Sequence, residues 1–235
     1  MTRTLTVALA VVGIAIASPS WAEEMGETIE FEKLSHEQRT TISNAGVAAM
    51  QGIADARGSL ERKDGGAARQ ALGKAAAELR SIRQASPSAN LADGVSDLHT
   101  QLVKGEGGNP QDLAPLYTRL DAYQAIAGVG AAEEVRSRLD GAKGSLAAGN
   151  TQEAAVLLEA ARDTIRYVEI DIPVKETLAR VDRSITQIGA NDYLAAQANL
   201  RESLGSLQTF GDMASIQMNT EVEMGAEAVG SGPPE

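Results

Sequence analysis

Apolar residues recur every three or four positions over most of the chain, the spacing that predicts amphipathic α-helices. Ser35, followed three residues later by Gln38, forms a capping-box pattern that predicts the start of a long first helix ending near Lys63. Two further helices are predicted over residues 67–84 and 91–104. The pattern therefore predicts a mainly α fold.

Three segments share one arrangement of apolar and small residues, with identical offsets. The positions are Leu60, Ala68, Leu72, Ala75, Leu79 and Ile82; Leu146, Ala154, Leu158, Ala161, Ile165 and Val168; and Ile188, Ala196, Leu200, Ser203, Leu207 and Phe210. A turn-forming run falls after the first position each time, at residues 64–66, 149–150 and 190–192. Each segment therefore predicts an antiparallel helical hairpin, and the hairpins are expected to pack on one another in a bundle.

Two short segments alternate apolar and polar residues instead, at 116–123 and 168–172. The second is the clearer strand signal and stops at Pro173. The two segments are predicted to pair, at most, as a small two-stranded β ribbon. For residues 116–123 a helix is equally compatible, since Leu116 and Leu120 also fit one helix face.

The ends of the chain differ from its middle. Residues 1–22 combine Arg3, an uncharged apolar run and a small-residue site, and so resemble a secretory signal peptide cleaved after Ala22. Residues 23–34 are predicted to be a flexible acidic arm, residues 35–210 a helical domain, and residues 211–235 a disordered acidic tail containing methionine. These features predict a periplasmic protein with no membrane anchor after cleavage.

Composition restricts the chemistry. The chain of 235 residues has no cysteine, which excludes disulfides, cysteine-ligated metals and thiol catalysis. Its net charge of −11 argues against a nucleic-acid partner, which needs a basic face. His36 and His99 are the two histidines, and neither lies in a metal-binding or catalytic spacing. Met213, Met218 and Met224 are spaced too widely for a copper motif. We therefore predict no catalytic residue, cofactor or metal site.

The four tyrosines are the remaining candidate site. Tyr117 and Tyr123 lie in the first alternating segment, Tyr167 adjoins the second, and Tyr193 opens the last predicted helix. If the alternating segments meet, these rings could form an aromatic patch for a ligand. The alternative is that they close the hairpin ends, with apolar rings packed inward and hydroxyls near water.

Several motifs stand out along the chain. They are Leu113–Tyr117, Gly149-Asn150 before Ala154-Ala155, the run from Tyr167 to Pro173, the helix 176–181, and Asn191-Asp192-Tyr193 before Ala195-Ala196. Together these motifs resemble the YfdX family of bacterial periplasmic proteins. The likeness covers residues 35–210 and is strongest over the last 60 or so. It implies an exported helical protein associated with stress responses, and it implies no reaction and no site residues.

Two functions are favoured by the sequence, and a hydrolase that uses carboxylate groups is a third that stays open. The first is a non-enzymatic, stress-associated periplasmic protein that acts through protein–protein contacts or as a homo-oligomer. The alternative is a periplasmic binding protein that carries small amphipathic ligands.

Overall fold

The computed structural model describes residues 28–207, and this part of the chain is almost entirely helical. Eight α-helices follow one another, two of them preceded by short 3-10 turns at Phe31–Lys33 and Pro110–Leu113. The helices are α1 His36–Glu61, α2 Gly65–Ala85, α3 Pro87–Val103, α4 Ala114–Ala127, α5 Val129–Ala147, α6 Thr151–Thr164, α7 Asp171–Gly189 and α8, which runs from residue 193 to the end of the described part at 207. The predicted mainly α fold is confirmed.

The helices pack as a bundle with hairpins at its centre. Helix α1 packs along α2, α5 packs along α6, and α2 also lies against α7. Helix α3 contacts α6 and α4, and so joins the first half of the chain to the second. The apolar interior runs through all of these helices as one continuous cluster.

The three predicted hairpin turns share one backbone geometry. At equivalent positions Lys63, Gly149 and Asn191 adopt positive φ values of 60°, 79° and 62°. The following residue in each case, Asp64, Asn150 or Asp192, donates its N–H to a carbonyl five residues back. This pair of features defines the Schellman ending of a helix. In the first hairpin the left-handed residue is therefore Lys63, and the glycines after it belong to α2.

The repeated stripe lies inside the protein. All of the stripe positions in the first two segments are buried, as are those of the third up to Leu207. Phe210, the last position of the third stripe, lies outside the described residues. The capping box at Ser35 is also present, since its side chain accepts from the Gln38 N–H and the Gln38 side chain accepts from the Ser35 N–H.

The β ribbon, which the sequence allowed as an upper limit, does not form within residues 28–207. Residues 116–123 lie within α4, where Leu116, Leu120 and Tyr123 form its buried side. A helix is favoured over a strand here because it buries these three large side chains on one face. A strand would divide them between its two faces. Within residues 28–207 the only bridge of β type is isolated and parallel, between Val168 and Ile29. Pro173 lies in the first turn of α7, where its missing N–H costs no helical bond.

The N-terminal part of the structure also differs from expectation. The sequence predicts a flexible arm up to residue 34, whereas Ile29, Phe31 and Leu34 are buried in the core. The predicted signal peptide and tail lie outside the described residues. Among helices in the described range, none combines the length and apolar character needed to cross a membrane.

Candidate functional site

A buried carboxylate joins four parts of the chain at the first residue of α7. Asp171 is 2% exposed, and its Oδ2 accepts hydrogen bonds from the Ser88 hydroxyl at 2.6 Å and the Val168 N–H at 3.0 Å. The Ser88 hydroxyl lies 3.2 Å from that of Ser86. These groups bring together the end of α2, the start of α3, the segment before α7 and α7 itself. We call Ser86, Ser88, Val168 and Asp171 the junction cluster.

Local sequence explains why the junction cluster forms here. Pro87 occupies the first turn of α3 and separates it sharply from α2. The sharp corner leaves Ser86 and Ser88 on either side of the proline, both completely buried. Asp171 lies in the first turn of α7, where an acidic side chain interacts favourably with the positive end of the helix dipole.

The environment raises the pKa of Asp171 above its ordinary value. Burial is the largest cause, because it disfavours the charged form. Hydrogen bonds from Ser88, Ser86 and the Val168 N–H, together with the charge of Arg83, act in the opposite direction. The other carboxylate oxygen, Oδ1, is buried without a hydrogen-bond partner. An unpaired oxygen of this kind is costly, so burial outweighs the favourable contacts.

An ion pair lies beside the junction cluster. The Arg83 guanidinium binds the Asp93 carboxylate through two nitrogens, with Nε at 3.0 Å from Oδ2. Tyr167 lies near this pair and is partly buried, which raises the pKa of its hydroxyl. The ion pair links the end of α2 to α3. The positive charge of Arg83 also offsets part of the negative charge of Asp171.

The hydrogen bonds of the junction cluster position the helices. Ser88 donates to a carboxylate, as a nucleophilic serine donates to its base, but Ser86, Ser88 and Asp171 are all shielded from solvent. A substrate cannot reach the hydroxyl in this conformation. The hydrogen bonds instead fix where α7 begins relative to the α2–α3 corner.

The structure places the four candidate tyrosines in different bonding environments. The Tyr117 hydroxyl donates to Asp140 at 2.7 Å, and burial together with this bond raises its pKa to about 12. Tyr123 is fully buried and its oxygen accepts the Arg166 N–H at 2.9 Å. Tyr167 lies beside the Arg83–Asp93 pair. Tyr193 stands at the start of α8, next to Gly65 at the start of α2.

The Tyr193 hydroxyl donates to the Asn191 side chain at 3.4 Å. With the bonds of Tyr117 and Tyr123, three of the four tyrosine hydroxyls are therefore hydrogen-bonded to groups of the protein. The Lys143 ammonium adds a cation–π contact with the Tyr117 ring at 5.7 Å. Tyr123 departs from the alternative interpretation, because its hydroxyl is buried within the protein and does not lie near water. The ligand patch stays a prediction.

The remaining candidates contribute no site within the described range. His36 is exposed in the first turn of α1, and His99 is half-buried on α3. Among residues 28–207, no three His, Asp or Glu side chains cluster closely enough to hold a metal ion. The three tail methionines lie beyond the described residues.

Comparison with known proteins gives one decisive match. A family model described as YfdX protein matches residues 49–213, well over half of the chain. The chain belongs to the YfdX family. No curated protein and no solved structure matches it significantly. The part that matches YfdX includes the whole junction cluster and all four tyrosines.

The main parts of the junction cluster lie in two motifs that the sequence of this YfdX-family protein shows separately. The run from Tyr167 to Pro173 contains Asp171, and the helix break at Ser86-Pro87-Ser88 contains both serines. The position of Asp171 between two apolar residues, Ile170 and Ile172, indicates that its carboxylate is buried. An acid in such a setting is buried only when it is paired. Its partner lies 83 residues away and only the fold identifies it.

Proposed function

We propose that this YfdX-family protein is an exported, stress-associated helical protein without catalytic activity that acts by associating with copies of itself. The resemblance and the signal-like first 22 residues support export and the link to stress. The observation that carries the association is the outward surface of α1. Its features are those of a protein contact.

The outward surface of α1 carries no charge over four helical turns. No Asp, Glu, Lys or Arg occurs at residues 40–54, although the chain as a whole has a net charge of −11. The exposed side chains over this length are small or neutral, and we call them the α1 face. They are Thr40, Thr41, Asn44, Val47, Ala48, Gln51 and Ala54.

A charge-free face matters because the protein is acidic. Two copies repel each other wherever their charged faces meet, and like charges in contact cost several kcal/mol. The centres of protein interfaces are accordingly depleted of charged residues. Small side chains such as Ala48 also let two helices approach closely. The α1 face can therefore meet its own copy about a two-fold axis, where the same surface is used by both partners.

The α1 face is also open. Helix α1 packs mainly along α2, through Ile42, Ala49, Ile53 and other inward residues. Val47 points away from that contact and is 64% exposed. A valine exposed this far gains from burial against a second copy.

Sedimentation velocity over a range of concentrations tests the proposal. The unaltered protein is expected to sediment as an oligomer, and Ala48→Glu is expected to shift it to the monomer. Ala179→Glu is the matched control, because Ala179 is exposed on α7 among charged residues. A monomer at every concentration would refute self-association, and an oligomer equally sensitive to both changes would refute the α1 face as the contact.

A further inference from the structure

We infer that residues 28–34 form a pH-sensitive strap, held against the segment before α7 more tightly in acid than at neutral pH. We call these residues the N-terminal strap. The inference goes beyond the proposed self-association, which uses α1. It rests on how the strap is attached and on which charges meet there.

Two backbone hydrogen bonds attach the strap. The Ile29 N–H donates to the Tyr167 carbonyl at 3.0 Å, and the Glu169 N–H donates to the Ile29 carbonyl at 3.1 Å. Ile29, Phe31 and Leu34 then enter the core. Two hydrogen bonds and three apolar side chains make a small attachment, of the kind that opens locally while the rest of a protein stays folded.

Carboxylates crowd the place of attachment. Glu30 and Glu32 on the strap act on Glu169 with like charge, and Lys33 is the strap's single basic residue and is exposed. Glu169 is exposed overall, but its carboxyl is partly shielded from water; this shielding, followed by the charges of Glu32 and Glu30, raises its pKa. The Phe31 N–H bonds to the Glu169 carboxylate and lowers its pKa, but it does not cancel the other effects.

The direction of the pH effect follows from linkage. A carboxyl whose pKa is raised on docking binds its proton more tightly when the strap is docked. Ionised Glu169 therefore weakens docking at neutral pH, and the penalty is lost as pH falls through the raised pKa towards the ordinary value of 4.5. At neutral pH the strap opens more often and uncovers the apolar side chains beneath it.

The junction cluster lies on the other side of the same segment. The Val168 N–H bonds to Asp171 and Ser88, so the backbone that receives the strap is fixed from the core side. Arg83 is the charged group that acts on Asp171, and Arg83 is itself paired with Asp93. Because the pKa of buried Asp171 is also raised, the test must separate Glu169 from Asp171.

Amide hydrogen exchange measures how often the hydrogen bonds of the strap open. The reporters are the Ile29 and Glu169 amides, and the Leu158 amide in buried α6 serves as the reference for global unfolding. In the unaltered protein, the protection of the reporters relative to the reference is expected to rise as pH falls from 7 to the ordinary carboxyl pKa of 4.5. Relative protection at pH 4.5 that is equal to or lower than at pH 7 would overturn the inference.

Variants with single glutamates replaced identify which carboxyl causes the pH response of the strap. Glu169→Gln is expected to protect the strap amides at pH 7 at least as well as the unaltered protein does at pH 4.5, with little further change in acid. Glu30→Gln, an exposed change on the strap, is expected to act in the same direction even if the first variant folds poorly. Glu106→Gln, in the exposed loop after α3, is the charge-matched control. A pH response that survives in Glu169→Gln, or disappears in Glu106→Gln, would overturn the assignment.

Discussion

Leu200 and Leu194 lie on the same helix, α8, yet they face opposite environments. Leu200 is completely buried, as the repeated stripe predicts, whereas Leu194 is 82% exposed. The difference is a property of helical spacing, since six residues place the two side chains on different faces. Single residues of this kind carry the stability of the hairpins.

Replacing the buried leucines is expected to destabilise the protein. Leu158→Ala and Leu200→Ala each remove a core side chain and leave a cavity, at a cost of about 2–5 kcal/mol in the free energy of unfolding. Leu194→Ala is the matched control, with an expected change within about 0.5 kcal/mol. Urea melts measure all three. Buried-leucine variants that melt like the parent would refute the hairpin packing.

Asp171 is expected to make stability depend on pH. Its pKa is raised in the folded protein, so the ionised form costs stability above that pKa, and the cost is lost as pH falls towards the ordinary value of 3.8. Asp171→Asn stays neutral at every pH. Its stability relative to the parent is therefore expected to be greater at pH 7 than at pH 4, as measured by urea melts at both pH values.

Asp171→Ala provides the contrast. It removes the acceptor used by Ser88 and Val168, and should lower stability at both pH values by about 1–3 kcal/mol. If the difference between Asp171→Asn and the parent is the same at pH 4 and pH 7, the carboxylate is not the group that titrates.

At the scale of elements, the hairpin is the unit of this protein. Three turns use the same Schellman ending, but glycine provides the left-handed residue only at Gly149. Lys63 and Asn191 accept the same conformation with a side chain, and asparagine tolerates it better than most residues do. The shared geometry therefore does not require glycine, and the residue type only adjusts its cost.

Two glycines close together in sequence are expected to respond oppositely to alanine. Gly149→Ala places a Cβ at a φ of 79° and is expected to destabilise by about 1 kcal/mol. Gly144→Ala lies inside α5, where a Cβ meets no atom within 4 Å, and is expected to stabilise by up to about 1 kcal/mol. Thermal melts of both variants check the pair, and equal shifts would contradict the turn geometry.

At the scale of the whole molecule, the core is continuous from the N-terminal strap to α8. The ion pairs on its surface are mostly exposed, such as Arg80–Asp182 between α2 and α7, and pairs of this kind contribute little. Apolar packing of small residues and leucine therefore holds the bundle together.

The proposed export gives a prediction for the whole chain. The protein recovered from a periplasmic extract is expected to begin at Glu23, because the predicted cleavage site follows Ala22. Mass spectrometry measures this directly. Cleavage also removes Trp21, the sole tryptophan, so the recovered protein should show tyrosine emission alone. A mass that retains residues 1–22 would contradict the cleavage.

The sequence by itself determined the helices and the hairpins of this YfdX-family protein. Local rules are enough for these features, because helical spacing, caps and turns act over a few residues, as at Ser35 and at the repeated stripes. Only the tertiary structure decided which segments separated along the chain would meet. Ser88 reaches Asp171 across 83 residues, and Ile29 reaches Val168 across more than half of the chain. Such contacts depend on how the helices pack together, and no local pattern encodes that arrangement.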